Sequence, residues 1–128
     1  MKIVIESIPH NQQRYPTVGD WKIEPDGTWH ILVSEMSDWR RMLLVGRHEL
    51  DEMAICFLRG IDEKDITEFD VRFEKEREEG LHSPEEEPGD SQNAPYREPH
   101  FIATNGEREL SVHLGVNWND YDKEVMSL

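Results

Sequence analysis

One long helical segment between Asp38 and Gly60 constrains the fold of this chain more than any other feature. The residues between them read WRRMLLVGRHELDEMAICFLR, which contains no proline and repeats apolar side chains at helical spacing. Ser37 or Asp38 can accept a hydrogen bond from the first turn, and Gly60 suits the left-handed conformation that ends many helices. We therefore predict a helix over about residues 38–59.

Two apolar sectors lie on different sides of this predicted helix at about 100° per residue. The wider sector consists of Leu43, Leu50, Met53, Ala54 and Phe57. We expect it to face a sheet. His48 and Glu52 lie one above the other inside a second apolar stripe, where an ionised carboxylate is costly unless a cation or hydrogen bonds compensate it.

The residues before this helix are typical of strands. The segment KIVIESI at 2–8 is β-branched and alternating until Pro9 ends it. Residues 21–24 and 28–34 flank the turn sequence PDGT, which predicts a hairpin. Residues 2–35 should therefore form a small antiparallel sheet of about three strands, and a sheet with one apolar face needs a second layer.

The residues after the long helix predict more helices and one loop. Asp62 can cap a helix over 62–78, in which Ile66, Phe69 and Phe73 share one face. The segment LHSPEEEPGDSQNAP, within about residues 80–95, is rich in Pro, Glu, Ser and Gly, which predicts a flexible acidic loop rather than a packed element.

The region 98–115 leaves two alternatives open. Pro99 suits the first turn of a helix, but the Asn105-Gly106 pair is also a strong hairpin turn signal. Residues 117–126 predict a short amphipathic helix that Asn117 caps. We therefore expect a single α+β domain over residues 1–128, with the sheet packed against three to four helices.

Composition excludes several classes of protein. The 128 residues contain 28 acids and 14 bases, a formal charge of −14, so we expect no direct binding to nucleic acid through phosphates. A metal ion or a basic host protein is a better electrostatic partner. Cys56 is the only cysteine, and no apolar run predicts a signal peptide or a membrane span. These features favour a cytoplasmic protein that does not enter membranes.

The motif RHELDE at residues 47–52 points to metal chemistry. It begins like the His-Glu-x-x-His zinc signature, with Glu52 in the place of the second histidine. Residues i and i+4 lie about 6 Å apart on a helix, so His48 and Glu52 can bind one ion from a single turn. Zn²⁺ is the expected ion, with Mn²⁺ and Mg²⁺ as open alternatives.

Further ligands and a proton acceptor can be named from the same segments. Asp70 lies at the edge of the apolar face of the second predicted helix, and His100 lies in the first turn of the third. Either could complete the metal site with His48 and Glu52. Glu49 is the candidate general base, because a glutamate in this place of zinc peptidases activates the metal-bound water.

Two other interpretations of these charged residues need no zinc. Arg41 and Arg59 fall on nearly the same column as His48 and Glu52, so the four residues could form a salt-bridge ladder. The acids at 49, 52, 70 and 74 could instead form a carboxylate cluster that holds Mg²⁺, as in all-helical nucleotide pyrophosphatases, although their spacing differs from that family.

Four segments carry a resemblance that covers most of the chain: IPHNQQRYPTVGDW, VGRHELDE, TEFDVRFE and PGDSQNAPYREPHFIAT. They resemble a group of short phage- and prophage-encoded proteins of unknown function. The family pattern matches His48, Glu49, Glu52, Phe69, Asp70, Tyr96, Glu98 and His100. Asp51 and Pro99 depart from it. The resemblance implies a helix after Pro99, and a sheet followed by a His-Glu helix is also similar to the zincin-type metalloproteases at the level of fold.

Two functions follow as hypotheses. The first is a small metal-dependent phage hydrolase with a His-Glu-x-x-Glu site. The second is a non-catalytic acidic binding protein, either a DNA mimic or an inhibitor of a host factor. Residues 62–90 contain thirteen acids and four bases and so carry most of the net negative charge.

Overall fold

The computed structural model describes all 128 residues and confirms the predicted α+β class. The strands are β1 (Ile3–Ile8), β2 (Gly19–Ile23) and β3 (Trp29–Ser34). The helices are α1 (Trp39–Arg59), α2 (Glu63–Glu78), α3 (Arg97–His113) and α4 (Trp118–Ser127), with short 3₁₀ turns at His10–Gln12 and Pro88–Asp90.

The sheet is mixed, so the prediction of an antiparallel sheet was wrong for one strand. Its order is β1-β3-β2, with β2 antiparallel and β1 parallel to β3. The predicted hairpin is present, and Gly27 has the positive φ of 88° that its turn requires. The strand β3 takes the central position because it is the most apolar, and its Ile31 and Val33 are almost completely buried.

The helix α1 has the predicted ends. Asp38 accepts a hydrogen bond from the backbone N–H of Arg40, and Gly60 ends the helix with a φ of 68°. Contacts with β2 and β3 cover one side of α1, and α3 packs along another side. The longest helix therefore lies between the sheet and α3.

Only part of the face of α1 that we expected to meet the sheet is buried: Met53 lies in the core, but three of the five residues are exposed, so most of this prediction was wrong. Leu43 and Phe57 are 41% and 59% exposed, whereas Leu44 and Cys56 are completely buried. The reason is that α1 has two packing partners, and its buried surface is centred between the sheet and α3. The stripe that carries His48 and Glu52 is consequently part of the interior.

The helix α2 confirms the predicted apolar face, with Ile66, Phe69 and Phe73 buried. The first part of the segment 80–95 is largely exposed, as expected of a loop, but the part around Pro88–Asp90 packs against the helices, contrary to the expectation. Its Gly89 and Ala94 are buried, and the turn around Pro88–Asp90 contacts both α2 and α3. The structure therefore places an acidic segment beside the start of α3.

The helix α3 resolves the alternative at residues 98–115 in favour of a helix, and Gly106 lies inside it rather than in a hairpin turn. The N-terminus of α4 is capped by the side chain of Asn117, which accepts a hydrogen bond from the N–H of Asp120. None of the four helices has the length and apolar character that crossing a lipid bilayer requires.

Candidate metal centre

Three of the four predicted metal ligands meet between α1 and α3. Nε2 of His48 lies 3.1 Å from Nδ1 of His100 and 3.3 Å from Oε2 of Glu52. Nδ1 of His100 lies 3.1 Å from the same carboxylate oxygen. The three atoms thus form a nearly equilateral triangle, although His100 is separated from His48 by 52 positions in the chain.

The packing of the helices brings these residues together. His48 and Glu52 are one turn apart on α1, and His100 lies in the first turn of α3. All three residues are at most 8% exposed. Burial excludes most of the water that would otherwise solvate two imidazoles and a carboxylate, so their charges must be compensated within the site.

Hydrogen bonds from outside the triangle fix the His48 ring. Its Nδ1 donates to Oε2 of Glu107 at 2.9 Å, and the hydroxyl of Tyr121 donates to the other oxygen of Glu107 at 2.5 Å. A histidine that donates one ring N–H to a carboxylate presents its other nitrogen as a stronger ligand. Glu107 therefore orients His48 toward the triangle.

Glu52 and His100 also make hydrogen bonds with residues outside the triangle. The indole N–H of Trp21 donates to Oε1 of Glu52 at 3.2 Å. Nε2 of His100 lies 3.2 Å from Oε2 of Glu87 and 3.6 Å from Asp90. Each member of the triangle thus has one atom engaged by the protein and one atom that points at the other two members.

The triangle needs positive charge between its two ring nitrogens. If both imidazoles are neutral and donate outward, the two ring nitrogens that face each other both carry lone pairs, and a carboxylate oxygen lies beside them. If one is protonated, its N–H donates to the ring nitrogen of the other at 3.1 Å, and if both are protonated, two N–H groups point at one another. One divalent cation supplies the same charge as the two protons and turns all three contacts into bonds.

The pKa values of the three residues are shifted in the directions that favour positive imidazoles and a negative carboxylate. Burial alone would lower the pKa of His48 and of His100. Hydrogen bonds with Glu107 and Glu52 instead raise the pKa of His48 well above its usual value, and those with Glu52 and Glu87 raise that of His100 to about 9. Burial raises the pKa of Glu52, but the two histidines lower it to about 2. The carboxylates around the two histidines therefore favour the positively charged form of each imidazole.

Glu49, the predicted general base, lies beside the triangle and lines the same cavity. Burial and the neighbouring carboxylate of Glu52 raise its pKa well above the usual value. A methyl group at Gly19 would lie 2.4 Å from Oε1 of Glu49, so the backbone of β2 approaches this side chain closely. No hydrogen bond within the protein engages the carboxylate, which leaves it available to a water molecule or a substrate.

Asp70, the fourth predicted ligand, lies in the same cavity but outside the triangle. Its two oxygens accept hydrogen bonds from the hydroxyls of Tyr96, at 2.5 Å, and Tyr15, at 3.0 Å. Burial raises the pKa of Asp70 to about 7 despite these two bonds. The structure thus gives Asp70 two tyrosine partners in place of contact with His48, Glu52 and His100.

The predicted salt-bridge ladder is absent, because its two arginines bind other residues. Arg41 pairs with Glu124, and Arg59 pairs with Glu98 at 3.1 Å. Glu74, a member of the alternative Mg²⁺ cluster, pairs with Arg77 at 3.0 Å. No arginine neutralises Glu52, so the charge of this glutamate is balanced by the histidines.

The outer partners of the ligands were not predicted from the sequence. For Glu107 a signal existed, because it shares a face of the third predicted helix with His100 at a spacing of two turns. Trp21, Glu87 and Tyr121 come from β2, the acidic segment and α4. Nothing in their local sequence indicates that these elements converge on one site.

A cavity of about 350 Å³ opens beside the triangle and is lined by all three of its residues. His48, Glu52 and His100 occupy one part of its wall. The rest is formed by other residues of α1 and α3, by the connection before β2 and β2 itself, and by α2, the acidic segment and α4. No family model matches the chain, and no curated protein or solved structure was found to match it.

Proposed function

We propose that the chain binds one divalent transition metal ion, zinc in the first place, through His48 Nε2, Glu52 Oε2 and His100 Nδ1. The triangle carries this proposal. Zinc bonds to nitrogen and oxygen of about 2.0–2.1 Å in tetrahedral geometry place the ligand atoms about 3.3 Å apart. The three distances here are 3.1, 3.1 and 3.3 Å.

The ligand types favour zinc over magnesium. Mg²⁺ prefers oxygen ligands and keeps several waters, whereas two imidazoles and one carboxylate are a common zinc set. Mn²⁺ remains a second candidate. Each ligand also has the outer hydrogen bond that metal-binding residues usually have: His48 donates to Glu107, His100 donates to Glu87, and Glu52 accepts from Trp21.

We propose hydrolysis as the reaction because three protein ligands leave a fourth position open. A structural zinc site is closed by four protein ligands, whereas a catalytic zinc keeps one position for water. A bound zinc ion would lower the pKa of that water and polarise a carbonyl oxygen. The cavity beside the triangle gives a substrate access to this position.

Glu49 is the proton acceptor in this proposal. It lines the cavity next to the ligands, and its carboxylate is free of hydrogen bonds within the protein. Burial and Glu52 raise its pKa well above the usual value, and a carboxylate with a raised pKa is a stronger base. In its protonated form Glu49 can then return the proton to the leaving group.

Metal analysis of protein purified without chelators tests the proposal. We expect about one equivalent of zinc in the wild-type chain and in Glu49→Gln, because Glu49 is not a ligand. We expect Glu49→Gln to lose hydrolysis of an ester or amide substrate that the wild-type chain cleaves. Absence of zinc, with a thermal stability that added zinc and manganese leave unchanged, would overturn the metal site.

We keep one alternative function, a non-catalytic acidic protein that binds a basic host factor. The exposed Glu78 and Glu79 at the end of α2 favour it. However, Lys64 pairs with Glu68 and Arg72 with Glu76 within the same helix, which reduces the free negative charge. Recovery of a basic host protein from lysate in a salt-sensitive manner would support this alternative, and its recovery by a chain without metal would favour it over the hydrolase.

We also propose, on the sequence resemblance, that the chain is encoded by a phage or prophage and acts in the host cytoplasm. Cys56 is buried and has no second cysteine to pair with, which suits a reducing compartment. Fractionation of expressing cells tests the location, and recovery outside the cytoplasmic fraction would contradict it.

A further inference from the structure

The cavity beside the triangle is strongly acidic. Ten of the residues that line it carry a carboxylate, and a single arginine and no lysine accompany them. That arginine, Arg77, is already engaged, because it donates to Glu74 and to the backbone carbonyls of Ser83 and Glu86. Apart from the proposed metal ion and its histidine ligands, the cavity therefore offers no free cationic side chain to a phosphate or carboxylate group of a substrate.

Two carboxylates of the cavity stand apart from the rest, because they make no hydrogen bond or salt bridge within the protein. They are Glu49 and Asp122. The remaining lining acids bind histidines, tyrosine hydroxyls, backbone N–H groups or arginines. Glu49 has a role in the proposed reaction, so Asp122 is the one free acid that this reaction does not use.

Asp122 lies on the side of the cavity that α4 forms. Its neighbour Tyr121 bonds Glu107, so this part of α4 is tied to the outer partner of His48. Asp122 is partly exposed; its partial burial and the nearby carboxylates of Glu87 and Glu107 raise its pKa, and Arg108 partly opposes this shift. Arg108 lies over the ring of Trp118 at 4.5 Å and makes no salt bridge with Asp122.

We infer that the substrate of this site is an amide or ester that carries a positively charged group, an amine or a guanidinium, and that Asp122 binds this group. The inference rests on the proposed hydrolase function, since it assumes that the reacting carbonyl lies at the metal. An unpaired carboxylate in a negative cavity favours a cation there and disfavours an anion. Asp122 would thus determine specificity without taking part in the reaction.

Three hydroxamates of equal chain length test the inference, because the hydroxamate group binds an open metal position. The probes are 6-aminohexanohydroxamic acid, hexanohydroxamic acid and adipic acid monohydroxamate, which end in a cation, a methyl group and an anion. Titration into the cobalt-substituted protein, followed by the visible spectrum of the cobalt ion, gives a dissociation constant for each probe.

We expect the aminohydroxamate to bind about tenfold more tightly than the neutral probe and the acidic probe to bind most weakly. In Asp122→Asn the preference of the site for the cationic probe should disappear. The matched control is Asp65→Asn, which removes the same charge from an exposed residue outside the cavity. This control should keep the preference, because Asp65 lies outside the cavity. The two variants have the same total charge, so a difference between them reports on the position of the charge.

The same titrations distinguish a failure of the proposed role of Asp122 from a failure of the open metal position. Equal affinities for the three probes, tighter binding of the acidic probe, or an unchanged preference in Asp122→Asn would overturn the inference while the metal site stands. If cobalt binds and no hydroxamate changes its spectrum, the open metal position is absent. The proposed hydrolase function then fails, and the inference fails with it.

Discussion

The protein contains two groups of histidines and glutamates, one around His82 and one at the candidate metal centre, and their ring nitrogens have different partners. His82 lies between two carboxylates, with Nε2 2.8 Å from Glu76 and Nδ1 3.1 Å from Glu86. In the candidate metal centre, His48 and His100 also have carboxylate partners, but one nitrogen of each ring faces the other ring at 3.1 Å.

The two arrangements have different requirements for charge. A single proton satisfies His82, because each ring N–H then donates to its own carboxylate, and the ring stacks on Phe73 at 3.8 Å. The pair of His48 and His100 needs a shared proton or a metal ion between its facing nitrogens, which His82 does not need. A metal site therefore differs from an ion pair in that several donor atoms point at one position. The number of histidines and acids alone does not make this distinction.

Among the substitutions that separate the two groups, removal of a metal ligand should have the largest effect on zinc affinity. We expect His100→Ala to lower zinc affinity by more than the 10- to 100-fold that loss of an outer partner costs, because one of three ligand atoms is lost. His82→Ala should leave zinc binding unchanged. Competition with a chromogenic chelator measures both variants, and equal losses would show that zinc binds nonspecifically to histidine–carboxylate pairs.

An outer partner should matter less than a ligand. We expect Glu107→Gln to weaken zinc binding by about 10- to 100-fold, because the His48 ring loses its charged acceptor. The matched control is Glu86→Gln, which removes the acceptor of His82 in the same way. If Glu107→Gln binds zinc as the wild-type chain does, Glu107 does not orient a ligand.

A smaller effect should follow from a methyl group at Gly89. A Cβ there would lie 2.5 Å from the His100 ring, so Gly89→Ala must displace either the ring or the turn around Pro88–Asp90. We expect weaker zinc affinity with little loss of helical circular dichroism. Gly106→Ala, where the nearest atom is 3.1 Å away in the flexible side chain of Asp51, is the control and should retain zinc affinity.

The stability of the metal-free protein should depend on pH through His100. Its pKa is raised from 6.5 to about 9 in the folded state. This contribution is fully present below pH 6.5 and is lost as the pH rises through 9. We expect the Tm of the metal-free chain to fall by several degrees across this window and that of the zinc-loaded chain to fall less. Equal slopes would contradict a metal that replaces these protons.

The smallest effect on metal binding is expected for Asp70→Asn, because Asp70 lies outside the triangle. Zinc affinity should stay at the wild-type value. The pKa of Asp70 is raised from 3.8 to about 7, so its ionisation costs stability as the pH rises between these values. The asparagine variant should lack this decrease in thermal melts, and a large loss of zinc would instead make Asp70 a ligand.

Local sequence signals were sufficient to predict most of the elements. Asp38 and Gly60 bound α1, Asp62 caps α2, and the PDGT turn joins β2 to β3, because caps and turns depend on a few neighbouring residues. The pairing of β1 with β3 was not predictable in this way. Strand order depends on how the connection before β2 crosses the sheet, and the segment itself carries no signal for it.

The candidate site was predictable in part for a similar reason. His48 and Glu52 are neighbours on one helix, so the pair follows from spacing alone, and His100 follows once α3 is placed beside α1. The role of Asp70 as a ligand could not be judged, because it depends on the distant hydroxyls of Tyr15 and Tyr96. The buried face of α1 was misassigned, because hydrophobicity alone does not indicate that a second helix covers polar residues.

X-ray absorption at the zinc edge shows directly whether the two histidines bind one zinc ion between α1 and α3. For the zinc-loaded chain we expect one ion with two imidazole nitrogens and light oxygen or nitrogen atoms completing four ligands, at about 2.0–2.1 Å. His48→Ala or His100→Ala should each remove one imidazole from this shell. A wild-type chain without bound zinc, or a shell that both substitutions leave unchanged, would contradict a metal held between α1 and α3.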